Sequence, residues 1–112
     1  MSCIFCQIVN KELPSEVAYE DQEILGFKNI DPKAPLHLLF IPKQHLEWNQ
    51  ELSGKDSLIF SKIIAAAQKT AAEKKVDQAY KLIFNVGKTG EISHIHLHLL
   101  GGWTGNVPMN NI

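Results

Sequence analysis

Apolar and polar positions along this chain recur with two periods, and the change from one to the other marks its elements. Residues 4–10 put Ile4, Phe5, Ile8 and Val9 on one helical face, and the stretch from Lys11 to Pro14 breaks that short amphipathic helix. Residues 17–19 and 24–28 read as two short strands, with Asp21 and Gln22 in the turn between them. A loop with two prolines, Pro32 and Pro35, precludes regular hydrogen bonding before the next strand, residues 37–41, which Pro42 stops. Residues 57–75 predict the one long helix: Ile59, Ile63, Ala66, Ala67 and then Thr70 share a face, and three consecutive alanines favour helix intrinsically. Asp56 or Ser57 serves as its N-cap, and Lys74 and Lys75 suit its negative C-terminal end. Residues 80–86 form a strand, 87–90 a turn, and 92–100 a last strand ended by Gly101 and Gly102. From Trp103 onward the chain is rich in Gly, Pro and Asn and irregular.

The connections between successive strands are mostly too short for parallel crossovers. The pattern therefore predicts an α+β domain: an antiparallel sheet of about five strands with the long helix on one face and a short helix at the start. At 112 residues the chain is a single domain, 1–112, that buries roughly two-thirds of its unfolded surface. A hydrophobic fraction of 45% with 21% charged residues excludes general disorder. The net charge of −1 carries no electrostatic footprint for nucleic acid or an acidic membrane, so neither is expected as a partner. All 11 basic residues are Lys; with no Arg, any bound phosphate must be held by backbone amides, hydroxyls, Lys or His. No apolar run is long enough to span a membrane, and the N-terminus has no export pattern. The two cysteines are thus expected to be reduced and the chain cytoplasmic.

The chemistry concentrates in His94-Ile95-His96-Leu97-His98-Leu99-Leu100. On a strand, residues two apart share a face, so His94, His96 and His98 line up opposite Ile95, Leu97 and Leu99. His37, at the start of another strand, joins them. Three adjacent imidazoles would repel if protonated, which makes them a poor choice for stability alone. Two chemistries suit them: a three-histidine zinc site with an open position, or an imidazole nucleophile with neighbouring acid, base and orienting partners. Cys3-x-x-Cys6 has three readings: packing thiols, a redox pair (which lacks a βαβ context) or half of a structural zinc site.

The triad stretch resembles the motif of the histidine triad (HIT) family, alternating His and apolar residues, and Gly101-Gly102 resembles its nucleotide-binding Hint branch. The resemblance extends over nearly the whole chain, through Ile4-Phe5, Glu12-Leu13-Pro14, Tyr19-Glu20-Asp21, Ala34-Pro35, Ile41-Pro42-Lys43 and Asn85. It implies a HIT-like fold with a homodimer joining two five-stranded sheets, and hydrolysis of nucleoside 5′-phosphoramidates or related nucleotidyl conjugates to a nucleoside monophosphate. It implies that His96 is the nucleophile, that His98 lies by the phosphate and leaving group, and that His94 and His37 support the nucleophile's tautomer. Asn85 would bond near the phosphate, and Phe5, Ile8, Phe27, Ile30 and Leu39 would form the pocket for a purine base. It further implies that Cys3, Cys6, His45 and His94 hold a structural zinc, with no cofactor needed for catalysis. The C-terminal tail would shape leaving-group specificity from the partner subunit's side.

Three departures modify this picture. Asn29 stands where the family usually has an acidic residue for the ribose hydroxyls, and Trp103 where an Arg is common. The loop between Asn85 and His94 is about two residues shorter than usual, which puts Gly90 and Glu91 on the phosphate side, Glu91 where a hydroxyl often sits. A nucleotide-binding adaptor with incidental turnover is the alternative function. A diadenosine polyphosphate hydrolase fits less well, because Gly101-Gly102 follows the triad.

Overall fold

The computed structural model describes residues 3–48, 53–86 and 92–108. The order is α1 (Ile4–Val9), β1 (Val17–Glu20), β2 (Ile24–Lys28), β3 (Leu36–Pro42), α2 (Gly54–Glu73), β4 (Tyr80–Phe84) and β5 (Leu97–Gly101). The strands make one sheet in the order β1-β2-β3-β5-β4, every neighbouring pair antiparallel. The expected α+β class and five-stranded sheet are therefore what the chain adopts. The predicted turn at residues 87–90 lies outside the described residues.

Both faces of the sheet are covered. On one, Ile63, Ala66, Ala67 and Ala71 of α2 pack against Ile24, Leu38, Phe40, Leu97 and Leu99. Thr70 belongs to this apolar stripe and is fully buried; its hydroxyl donates to the Ala66 carbonyl at 2.9 Å, which satisfies it inside the helix's own turn. On the other face, Phe5 and Ile8 of α1 cover Leu25, Phe27, Leu39 and Ile41. Alternate residues of β2 and β3 thus serve opposite cores, as the strand period requires.

Three elements have boundaries two or more residues away from those the sequence predicts. Helix α2 starts earlier than residue 57, because the Ser53 hydroxyl, rather than Asp56 or Ser57, caps it by accepting from the Asp56 N–H at 3.1 Å. It also ends at Glu73, with Lys74 as C-cap and Lys75 at φ 61°. Strand β4 stops at Phe84, leaving Val86 exposed.

The third shift matters most. Strand β5 begins at Leu97 rather than at residue 92. Its first residue pairs with Phe40, and two residues further along β3 stands Pro42, which has no N–H to continue the ladder. The chain before Leu97 pairs instead with the segment after β3: Glu47 bridges His94, and the Ile95 N–H donates to the Leu46 carbonyl at 2.8 Å. That pairing puts His45 beside His94, with ring centroids 4.7 Å apart. Trp48 holds the segment in place by stacking on Phe60 at 4.8 Å and meeting Phe84 edge-on at 5.5 Å.

Two glycines are required by geometry. A Cβ on Gly26 would stand 2.6 Å from Cε2 of the buried Phe40 ring, its cross-strand partner. Gly102 ends β5 at φ 85°, a conformation that favours glycine. Beyond it the tail is not without partners: the Trp103 ring lies 5.8 Å from Lys81 Nζ, which also donates to the Pro108 carbonyl.

Candidate active site and metal cluster

A cleft of about 690 Å³ opens on the α1 side of the sheet. Phe5, Ile8, Phe27, Ile30 and Leu39, the five residues expected to form a base pocket, all line it, as do Asn29, His96 and His98. Phe5 meets Phe27 edge-on at 5.7 Å and His96 at 5.1 Å, so one ring forms part of the apolar wall and also braces an imidazole. Ile30 is fully exposed at the cleft, and Ile4 and Ile92 are also exposed there. An apolar mouth of this kind is suited to covering a flat ligand.

The sequence reading missed part of the wall. Pro14, Ser15, Glu16, Lys28 and Pro32 also face the cleft. Their only sequence signal was punctuation: Pro14 lies in the turn region after α1 and Pro32 in the loop before β3. Asn85 follows β4 and does not line the cleft. Gly90 and Glu91 lie outside the described residues.

The four histidines divide into two pairs with assigned protons. His96 Nδ1 is 2.8 Å from the His94 carbonyl oxygen. A carbonyl only accepts, so Nδ1 carries the proton and Nε2 the lone pair. His37 Nδ1 accepts from the Lys33 backbone N–H at 3.0 Å, which puts the His37 proton on Nε2. Nε2–H lies 2.9 Å from His98 Nδ1 and donates to it, so His98 carries its own proton on Nε2. The Asn29 amide nitrogen also lies 3.2 Å from His37 Nε2. Because Asn29 Oδ1 accepts from the Asp31 N–H at 2.9 Å, the amide faces His37 with a donor, and the His37 proton goes to His98. Neighbouring imidazoles on the cleft wall thus differ: His96 carries its lone pair on Nε2, and His98 carries a proton there.

The main-chain carbonyl of His94 bonds to His96 Nδ1. His37 bonds to His98. The tertiary fold decides both, because ring orientation depends on partners far away in sequence.

The His94 imidazole belongs to a second group. Its Nε2–H donates to the Pro42 carbonyl at 2.9 Å, and its Nδ1 lies 3.5 Å from Cys3 Sγ and 3.7 Å from Cys6 Sγ. His45 Nδ1 is 3.2 Å from Cys6 Sγ, and its Nε2 meets the Glu47 carboxylate at 2.9 Å. One ligand atom from each of Cys3, Cys6, His45 and His94 lies within 4.8 Å of all the others. Both imidazoles turn a lone pair on Nδ1 inward while the other nitrogen is held by an oxygen, the arrangement that orients histidine ligands. Two thiols and two imidazoles form a donor set suited to zinc.

Electrostatics favours a cation there. Burial, helped by Cys3 beside it, pushes the Cys6 thiol up, so a thiolate pair needs positive charge nearby. Burial lowers His94, and the Pro42 carbonyl only partly opposes this, which keeps the imidazole neutral and ligand-competent. The residues present therefore fit a zinc ion. Glu47 and the Pro42 carbonyl, which orient the ligands, carried no sequence signal of that role.

The chain is similar to known proteins along most of its length. Residues 2–106 match the family model described as "Scavenger mRNA decapping enzyme C-term binding". The Neisseria gonorrhoeae protein HitA is 37% identical over 102 residues, covering 89% of this chain and 95% of the relative. A HIT family hydrolase from Legionella pneumophila Philadelphia 1 superposes with a TM-score of 0.87 at 41% identity, over 97% of this chain and 100% of that one. A histidine triad protein from Clostridium difficile gives a TM-score of 0.88 at 38% identity, over 99% and 97%. The chain belongs to the histidine triad (HIT) family.

Proposed function

We propose that this protein is a nucleotide-binding hydrolase that cleaves purine nucleoside 5′-phosphoramidates or related nucleotidyl conjugates through a nucleotidyl intermediate on His96. The observation that carries the reading is the pair of opposite tautomers on the cleft wall. His96 Nδ1–H is held by a carbonyl at 2.8 Å and presents an Nε2 lone pair, beside a His98 that presents Nε2–H. The L. pneumophila relative is described as a hydrolase, and a Candida albicans relative, 27% identical with a TM-score of 0.77 over 99% of this chain and 86% of that one, as a histidine triad nucleotide-binding protein.

In the proposed reaction the base lies against Phe5, Phe27 and Leu39, and Asn29 sits where a ribose would reach. His96 Nε2 attacks the α-phosphorus and forms an N–P bond, and the His94 carbonyl steadies the positive charge that develops on the ring. The departing nitrogen takes a proton from solvent and leaves as the amine, held by His98 Nε2–H as the P–N bond breaks. Water then attacks phosphorus, giving its hydroxide to the nucleotide and its proton back to solvent, and His96 is restored. The Hint-branch assignment and the cytoplasmic location belong to this same reading.

Cys3, Cys6, His45 and His94 would hold the zinc, which when bound supplies a structural cross-link and no chemistry at phosphorus. The reading extends to a homodimer through β4, whose half-buried apolar residues lie at one edge of the sheet. The test is a fluorogenic adenosine phosphoramidate, assayed with and without a chelator. Turnover is expected in both cases, with an adenylyl adduct on His96 trapped by an alkaline, denaturing quench. His96→Asn should bind adenosine monophosphate and lose turnover by several orders of magnitude, roughly as for other nucleophile deletions. Near-parent hydrolysis by His96→Asn rules out the mechanism, and binding without turnover in the parent favours an adaptor.

A further inference from the structure

We propose that Cys3 and Cys6 form a reversible oxidation site that switches the cleft: a small-molecule disulfide converts them to a Cys3–Cys6 disulfide, expels the metal ion and loosens α1. This deepens the reading above and rests on metal occupancy of the four-residue cluster.

The two cysteines sit three residues apart at the start of α1, Cys3 as its N-cap and Cys6 within it. Both are half-buried, so a small oxidant can reach them, and their sulfurs belong to a group whose ligand atoms lie within 4.8 Å of one another. A disulfide brings two sulfurs to about 2.05 Å, which a Cys-x-x-Cys pair across one helical turn can reach. The step balances. One thiolate attacks the small disulfide and releases one small thiolate, and the second protein thiolate attacks the mixed disulfide and releases the other. Two electrons pass from the cysteine sulfurs to the oxidant. The zinc ion, left with two imidazoles, departs, and its two positive charges balance the two thiolates released.

The cleft would register this change because α1 joins the two sites. The helix has only six residues and no side-chain cap, far too short to hold its shape alone. What holds it is the cluster together with the burial of Phe5 and Ile8, and both of these side chains are cleft wall. Phe5 lies between the sites, 5.8 Å from the His94 ring and 5.1 Å from the His96 ring. His94 connects them directly: its imidazole faces the cysteines, and its carbonyl holds the His96 Nδ1–H. Losing the metal removes the constraint on α1, on Phe5 and on the residue that orients His96.

The experiment treats the zinc-loaded full chain with oxidised glutathione beside a chromogenic zinc chelator. It follows thiols and mass, adenosine monophosphate affinity, and the rate of tryptic cleavage after Lys11. Lys11 closes α1, with its N–H on the Ile8 carbonyl and its Nζ 3.3 Å from Glu20, so cleavage there reports the helix. Expected are zinc release matched to the loss of both thiols, a mass lower by two hydrogens, and faster cleavage after Lys11. Nucleotide affinity should fall roughly 5- to 150-fold, the range typical of coupled sites. Dithiothreitol with zinc should reverse every change. In Cys3→Ser/Cys6→Ser the cleavage rate should not respond to the oxidant. A disulfide formed with zinc released but with unchanged cleavage and affinity overturns the proposal, as does a stable mixed disulfide with glutathione. If the reduced protein binds no nucleotide, the proposed function fails, while zinc release and cleavage still decide the switch.

Discussion

Replacing His37 with leucine breaks a hydrogen-bond chain without touching the proposed nucleophile. In the native chain the Lys33 N–H donates to His37 Nδ1 at 3.0 Å and His37 Nε2–H donates to His98 Nδ1 at 2.9 Å. Leucine removes both bonds. The Lys33 N–H is on an exposed residue and can turn to water, but His98 is only 8% exposed and loses the donor that fixes its tautomer. An unsatisfied buried group costs about 1–3 kcal/mol, so the lower half of that range fits a residue at a cleft wall. At about 4 °C per kcal/mol for a chain of this length, the melting temperature should fall by roughly 4–8 °C.

The effect on catalysis is a separate quantity. Without His37, His98 is no longer obliged to present Nε2–H. A hydrogen bond to a charged group contributes about 1.5–3 kcal/mol, so kcat/KM should fall by roughly 10- to 150-fold. That lies well short of the loss expected for His96→Asn. The assay compares two phosphoramidates of one nucleoside, one with a poor amine leaving group and one with a good one. Because His98 assists the departing nitrogen, the defect should shrink for the better leaving group, and His37→Gln, whose amide can donate to His98, should recover part of the rate. A loss as deep as that of His96→Asn, or the same factor for both leaving groups, would refute the relay.

The remaining predictions concern the scaffold and the tail. Gly26→Ala drives a Cβ to 2.6 Å from Phe40 and should cost about 1–3 kcal/mol in a urea melt; adding Phe40→Leu should recover part of this, and a midpoint unchanged from the parent would refute the packing argument. Asp21 is ionised more readily than usual: its desolvation opposes this, but the Tyr19 hydroxyl and the N–H groups of Glu23 and Ile24, at 2.6–2.7 Å, outweigh it. Its folded pKa is therefore below the unfolded value of roughly 3.9, so its contribution is present above that pH and is lost as pH falls through the folded value. Asp21→Asn should accordingly be less stable than the parent near pH 7 by about 1 kcal/mol and indistinguishable once the pH has fallen below the folded pKa of Asp21. A difference that persists in acid would show that charge is not its source. Deleting residues 104–112, which removes the Pro108 carbonyl from Lys81, should leave nucleotide affinity intact and change the relative rates for different leaving groups; an equal loss on every substrate would remove the tail from specificity.

Much of the molecule was legible before any coordinates. Periodicity located both helices and all five strands, because the chain has only two covered sheet faces to fill and each imposes its own spacing. The alternation from His94 to Leu99 named the chemical face, and the family resemblance named its base-pocket residues, all of which line the cleft. Boundaries were less legible, since they depend on distant partners. The start of β5 follows from Pro42 and from the bridge between Glu47 and His94, and the start of α2 from the Ser53 hydroxyl.

Proton positions were not legible at all. A histidine has the same letter in either tautomer, and only a neighbour that can solely donate or solely accept decides between them. The His94 carbonyl, the Lys33 N–H and the Pro42 carbonyl are such neighbours, and every one is a main-chain group. Backbone hydrogen bonding to a ring depends on where the chain passes, not on which side chain it carries. The spacing of the triad therefore placed the imidazoles on one strand face, while the tertiary structure turned His94 toward the cysteines, gave His96 a lone pair and gave His98 a proton.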